Sequence, residues 1–184
     1  MKASLILLVS LLIAAAAVYF GSFLVPDSYE VSRSIVVKAK PEHVFPLLNN
    51  PTQWEKWNAW NKDYDPTMIR LYGGPMAGKG ASQQWHGDKV GMVQMHFTES
   101  TPPSQLYYKQ QTKGELFETI GIFSLEPVEG GTKVVWHQKA RSTDEPYDRY
   151  RGFFKKLRTE QETEQSLLAL QALFEPAMAA RTTR

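Results

Sequence analysis

Val90–Ala140 reads VGMVQMHFTESTPPSQLYYKQQTKGELFETIGIFSLEPVEGGTKVVWHQKA, and this stretch decides the fold. Residues that favour strands gather in short runs at Val90–Glu99, Gln105–Gln111, Phe117–Glu126 and Thr132–Ala140. The separators TPPS, TKGE and EGG carry turn chemistry. Such spacing is that of an antiparallel meander. Alternation gives each run two faces: Val93, Met95 and Phe97 point one way, as do Phe117, Phe123 and Leu125, and Val134 and Trp136. Gln94, His96, Glu118, Lys133, His137 and Lys139 point the other way, so one face of the sheet is buried and the other wet.

Working towards the N-terminus, Met68–Tyr72 and Ala81–Trp85 extend the meander through the turns GGPMAGKG and HGDK. WEKWNAW, Trp54 to Trp60, spaces its tryptophans by three, so one helical turn stacks them on one side. They either line a pocket mouth or fix short helices to the sheet edge. Pro41 opens a short helix, PEHVFPLLNN, that Asn49-Asn50-Pro51 ends and Pro46 would kink. A first strand precedes it, with Val31, Arg33, Ile35 and Val37 on one face. On the C-terminal side the chain is helical, in two pieces. Tyr150, Phe153, Phe154 and Leu157 form one apolar stripe, and Leu167, Leu168, Leu170, Leu173 and Phe174 a second. Between them Arg158–Ser166 has no large apolar residue, and Thr159-Glu160-Gln161-Glu162 fits a capping box.

Leu5–Val25, LILLVSLLIAAAAVYFGSFLV, carries no charge and ends at Pro26-Asp27. A bilayer core needs about 20 apolar residues as helix. Two readings stand: an uncleaved anchor, or a signal peptide cut after Ala14-Ala15-Ala16, which leaves VYFGSFLV as an apolar new terminus. The anchor is the expectation taken forward. Lys2 before the segment, against Asp27 and Glu30 after it, puts the domain on the extracytoplasmic side of a single-pass membrane protein. The expected organisation is residues 1–26 as anchor, 27–176 as one domain and 177–184 as tail.

Several chemistries are excluded or weakened. The 184 residues contain no cysteine, which removes disulfides, thiolate metal sites and cysteine nucleophiles. A net charge of +2 gives no footprint for nucleic acid. Gly73–Gly80, GGPMAGKG, nearly matches a phosphate-binding loop, but Gly80 stands where a hydroxyl is needed, and a strand follows where a helix is needed. His43, His86, His96 and His137 include no pair at helical metal-site spacing. Glu99, Glu118, Asp144 and Glu164 are candidate acid/base groups, but nothing in their spacing selects one from surface carboxylates. Arg149, Arg151, Lys155, Lys156 and Arg158 form a basic cluster that either meets anionic headgroups or is a solvated helix face paired with Glu160–Glu164.

SIVVKAKPEHVFPLL, WEKWNAW, YGGPMAGKGASQQWHGDKVG, ESTPPSQLYY and GGTKVVWH together resemble the polyketide cyclase/dehydrase and lipid-transport family of the START-like superfamily, over Tyr29 to Phe174. WEKWNAW and the glycine-rich YGG…GKG…W.G..VG stretch are the specific parts. The resemblance implies an α+β helix-grip fold, with a curved antiparallel sheet wrapped around a long C-terminal helix. It also implies an apolar cavity between them for a small hydrophobic ligand, a lipid or polyketide-like molecule, without a cofactor. The expected cavity lining is Trp85, Met95, Phe97, Tyr107, Phe123, Trp136, Leu157 and Glu164. The same residues would equally build a filled core. Three functions follow: a membrane-anchored binding domain, a cyclase/dehydratase-type enzyme for which no catalytic motif is readable, or an interaction domain that docks a protein partner.

Overall fold

A computed structural model describes residues 2–115, 118–141 and 145–175. Helix α1, Lys2–Ser22, is followed by strand β1, Ser28–Val37, and helix α2, Pro41–Asn49. A 3-10 helix, Pro51–Lys56, leads through a loop to β2 (Ile69–Gly73), β3 (Ser82–Gly87), β4 (Gly91–Thr101), β5 (Gln105–Thr112), β6 (Glu118–Val128) and β7 (Gly131–Arg141). Helix α3, Pro146–Ala172, closes the fold. The strands form one curved seven-stranded sheet in the order β1-β7-β6-β5-β4-β3-β2, antiparallel throughout. The fold is therefore α+β of the helix-grip type: an uninterrupted meander to which β1 adds at the far edge, beside β7. Phe117, expected to begin β6, lies outside the described residues.

The inner face of the sheet is apolar, as its alternation dictates. Val93, Met95, Phe97, Phe123, Leu125, Val134 and Trp136 are all buried there. Asn50 caps the 3-10 helix by accepting from the Thr52 amide at 2.9 Å. Three residues per turn place Trp54 and Trp57 on one side of it. Their indole N–H groups donate back to Leu48 O (2.7 Å) and Leu47 O (3.0 Å), so both rings are buried without an unsatisfied donor. Trp54 then meets Phe97, Tyr108, Phe123 and Trp136 at ring-centroid distances of 5.6–6.1 Å. These rings make a filled aromatic centre, with Phe123 stacked on Trp136 at 4.7 Å.

The C-terminal helix is one piece, not two. Pro146 occupies its first turn, and no glycine or proline falls between the two expected segments. Arg158 bridges to Glu162 at 2.8 Å one turn on, and the Thr163 hydroxyl donates to Thr159 O at 2.6 Å. Thr159 is therefore a mid-helix residue and the capping box does not form. Of the second stripe, Leu167 and Leu170 are buried, while Leu168 and Leu173 are exposed. The first stripe is turned outward: Phe153, Phe154 and Leu157 are 48%, 66% and 49% exposed.

Candidate ligand-binding site

Between the sheet and α3 the filled centre gives way to a cavity of about 340 Å³. Its apolar wall is Trp54, Trp60, Trp85, Val90, Val93 and Trp136. Its opposite wall is the stretch of α3 that lacked apolar residues. Thr159, Glu162, Thr163 and Ser166 recur at helical spacing and all face the cavity. The inward polar stripe has sequence partners that hold it there. Gln138 on β7 donates from Nε2 to Thr163 Oγ1 at 2.6 Å, and Tyr108 donates to Gln138 Oε1 at 3.3 Å. Trp136 Nε1 donates to the Tyr108 hydroxyl at 2.9 Å, which completes a chain from the aromatic centre to the helix. Ser166 Oγ accepts from the Ala59 amide at 2.9 Å and donates to Glu162 O at 2.7 Å, pinning α3 to the WEKWNAW segment.

The tryptophans are set individually. In the amide orientation that satisfies both neighbours, Gln83 donates to Pro51 O (3.0 Å) and accepts from Trp85 Nε1 (3.2 Å). Trp60 packs edge-on against Trp85 at 5.5 Å. Its backbone carbonyl accepts from the guanidinium of Arg70, which also pairs with Glu55 at 3.4 Å.

Among the described residues, the buried indole N–H of Trp60 on the cavity wall has no hydrogen-bond partner, and the Tyr29 hydroxyl makes no hydrogen bond of normal geometry, with the Thr119 and Thr159 hydroxyls beside it. Buried polar groups are nearly always hydrogen-bonded, so such donors beside a cavity are open to a polar atom of whatever fills it, water or a small molecule. Burial raises the Tyr29 pKa above the ordinary phenol value, with the nearby Thr119 and Thr159 hydroxyls partly offsetting it. Tyr108 is pushed up more strongly, also by burial, and stays a neutral donor. At the rim, Glu115 pairs with Lys155 and Arg158 with Glu162, while the exposed Phe154 completes the wall.

Of the residues expected to line the cavity, Trp85 and Trp136 stand on its wall. Met95, Phe97 and Phe123 are buried in the filled centre and do not line it. Tyr107 is on the outer face, where its hydroxyl reaches Gln105; Tyr108 is the inward residue of β5. Leu157 and Glu164 face solvent, because the continuous helix turns Thr159, Thr163 and Ser166 inward instead. Glu99 is exposed, Glu118 pairs with Lys109 at 2.7 Å, and Asp144 lies outside the described residues. The carboxylates that do line the cavity, Glu115 and Glu162, carried no signal of their own beyond membership in a polar run.

The family model described as polyketide cyclase/dehydrase and lipid transport matches residues 28–175. No curated protein matches the chain. Among solved structures it is similar to protein CV1439 from Chromobacterium violaceum, at 20% identity and TM-score 0.53, covering 82% of this chain and 98% of that one. The Aha1 dimer from Colwellia psychrerythraea is 20% identical with TM-score 0.54, over 80% and 96% of the two chains. The di-domain ARO/CYC BexL of the BE-7585A biosynthetic pathway is 13% identical with TM-score 0.57, over 82% of this chain and 51% of that one. At such identities the structures share the fold alone. With the family model spanning the whole helix-grip domain, the chain belongs to the polyketide cyclase/dehydrase and lipid-transport family.

Proposed function

We propose that this chain is a membrane-anchored binding domain for a small hydrophobic ligand, a lipid or polyketide-like molecule with a polar acceptor group. The observation that carries the reading is the cavity itself: tryptophan on one side, buried donors at Trp60 and Tyr29, and a polar stripe on α3. Its volume of about 340 Å³ falls at the small end of ligand pockets. A space that size holds roughly ten waters, or one compact molecule whose apolar side lies on the indoles and whose polar side meets the α3 stripe. The charged groups at the rim are engaged in ion pairs, which suits a gate between helix and sheet better than a free acid or base. Helix α1 is long and apolar enough to cross a bilayer, at about 1.5 Å per residue over its 21 residues.

Binding is tested on the full chain in nanodiscs, by the intrinsic fluorescence of the cavity tryptophans during titration with fatty acids and polycyclic aromatics. Trp85→Ala removes much of one wall and should weaken the best ligand tenfold or more, about 1.4 kcal/mol. Unchanged affinity in a variant with native circular dichroism would remove Trp85 from the site. Retention of the first residues in purified protein, read by intact mass, separates an anchor from a cleaved signal sequence.

A further inference from the structure

We propose that the first half of α3, Tyr147 to Leu157, is a membrane-docking surface that seats the cavity mouth in the headgroup layer of a bilayer carrying anionic lipid. The inference rests on the reading that α1 spans that bilayer.

Tyr147, Tyr150, Phe153, Phe154 and Leu157 share one helix face. Among the described residues of the domain the other aromatic clusters are interior, whereas Tyr147, Phe153, Phe154 and Leu157 are 72%, 48%, 66% and 49% exposed. The depth of this face is set by α1. The Tyr150 hydroxyl donates to Val18 O at 2.9 Å, and Val18 lies four residues, about 6 Å, inside the end of the apolar helix. Arg149 donates to Val25 O at 3.1 Å and sits over the Phe23 ring at 5.6 Å. If α1 spans the hydrocarbon layer, a residue that touches Val18 lies at the membrane–water boundary, where tyrosine and basic side chains are favoured. Arg149, Arg151, Lys155, Lys156 and Arg158 flank the aromatic face; Arg151, Lys155 and Arg158 pair with Asp148, Glu115 and Glu162, and the surplus of five basic residues over one acidic between Tyr147 and Arg158 complements anionic headgroups. Arg151, Phe154, Lys155 and Arg158 belong both to this region and to the cavity wall. The mouth thus opens at the bilayer, and an apolar ligand passes between membrane and cavity without crossing water.

The chain has no cysteine, so single substitutions give clean labelling sites. The full chain is reconstituted in vesicles of phosphatidylcholine and phosphatidylglycerol, with an environment-sensitive fluorophore at Phe153→Cys, Leu157→Cys, Leu168→Cys or Ile13→Cys. Labels at 153 and 157 should be quenched several-fold more by nitroxide lipids than the label at 168, which is on an exposed residue further along α3, and be shielded from aqueous iodide. Iodide quenching at 153 and 157 equal to that at 168, with the label at 13 lipid-quenched, overturns the docking surface and leaves the anchor standing. Iodide access at 13 as well overturns the anchor, and the docking surface with it.

Discussion

Asp65 shows how a single side chain organises the loop beneath the site. Its carboxylate accepts from the Thr67 hydroxyl (2.6 Å) and amide (3.0 Å) and from the amides of Lys89 and Val90 (both 2.9 Å), tying the β3–β4 turn to the loop before β2. Gly87 makes the approach physically open, because a Cβ there would collide with the carboxylate. The glycine of the W.G..VG motif thereby gets a physical reason. These hydrogen bonds, that from the Thr67 hydroxyl first, lower the Asp65 pKa to about 2. The folded value lies below the unfolded one, roughly 3.9, so the stabilisation is complete above about pH 5 and is lost as pH falls through about 2. Thermal melts between about pH 6 and pH 2 should show that loss, and Asp65→Asn should be less stable at neutral pH with a flatter acid limb. Gly121 faces Tyr108 across β6 and β5, and a Cβ there would enter the Tyr108 ring. Gly121→Ala should cost about 1–3 kcal/mol in urea unfolding, as overpacking does, and more if the Trp136–Tyr108–Gln138 chain breaks. Wild-type stability in that variant would contradict the packing described for Tyr108.

Among the elements, the strands were legible and the long helix only half so. Strand alternation has a period of two and a clear sign, and each expected strand between Met68 and Ala140 appears within a residue or two of its bounds. The WEKWNAW spacing also identified a short helical turn, although the turn is 3-10 and Trp60 lies beyond it. Helix α3 defeated the same logic because its inward face is polar over Thr159–Ser166 while its outward face carries aromatics. Hydrophobic periodicity assumes that apolar means inside, and a helix with a cavity on one side and apolar residues turned outward violates that assumption. The pattern gives Tyr150–Leu157 as one apolar helix stripe and places Leu157 and Glu164 on the cavity, where Thr159 and Thr163 stand instead. Tyr107 failed for a smaller reason, one residue of parity in β5. The buried donors at Tyr29 and Trp60 had no sequence signal at all, since their meaning depends on what surrounds them.

At the scale of the molecule, the filled aromatic centre and the cavity divide the labour. Trp54, Phe97, Phe123 and Trp136 hold sheet and short helices together, and α3 is suspended across the remaining space by Gln138–Thr163 and Ser166–Ala59. That arrangement leaves a helix whose cavity face contributes little apolar packing, so the space can be filled by a guest without dismantling the core. The central claim is that it is filled by one. It is tested most directly by native mass spectrometry of the full chain released from nanodiscs, with organic extraction of what is bound, beside a Thr159→Leu variant that narrows the cavity. The account predicts an apolar molecule at near-equal stoichiometry in the wild type and at least tenfold less in the variant, with the variant's melting temperature unchanged or raised. A wild-type protein that is bare and takes up nothing from a panel of fatty acids and aromatic probes would contradict it.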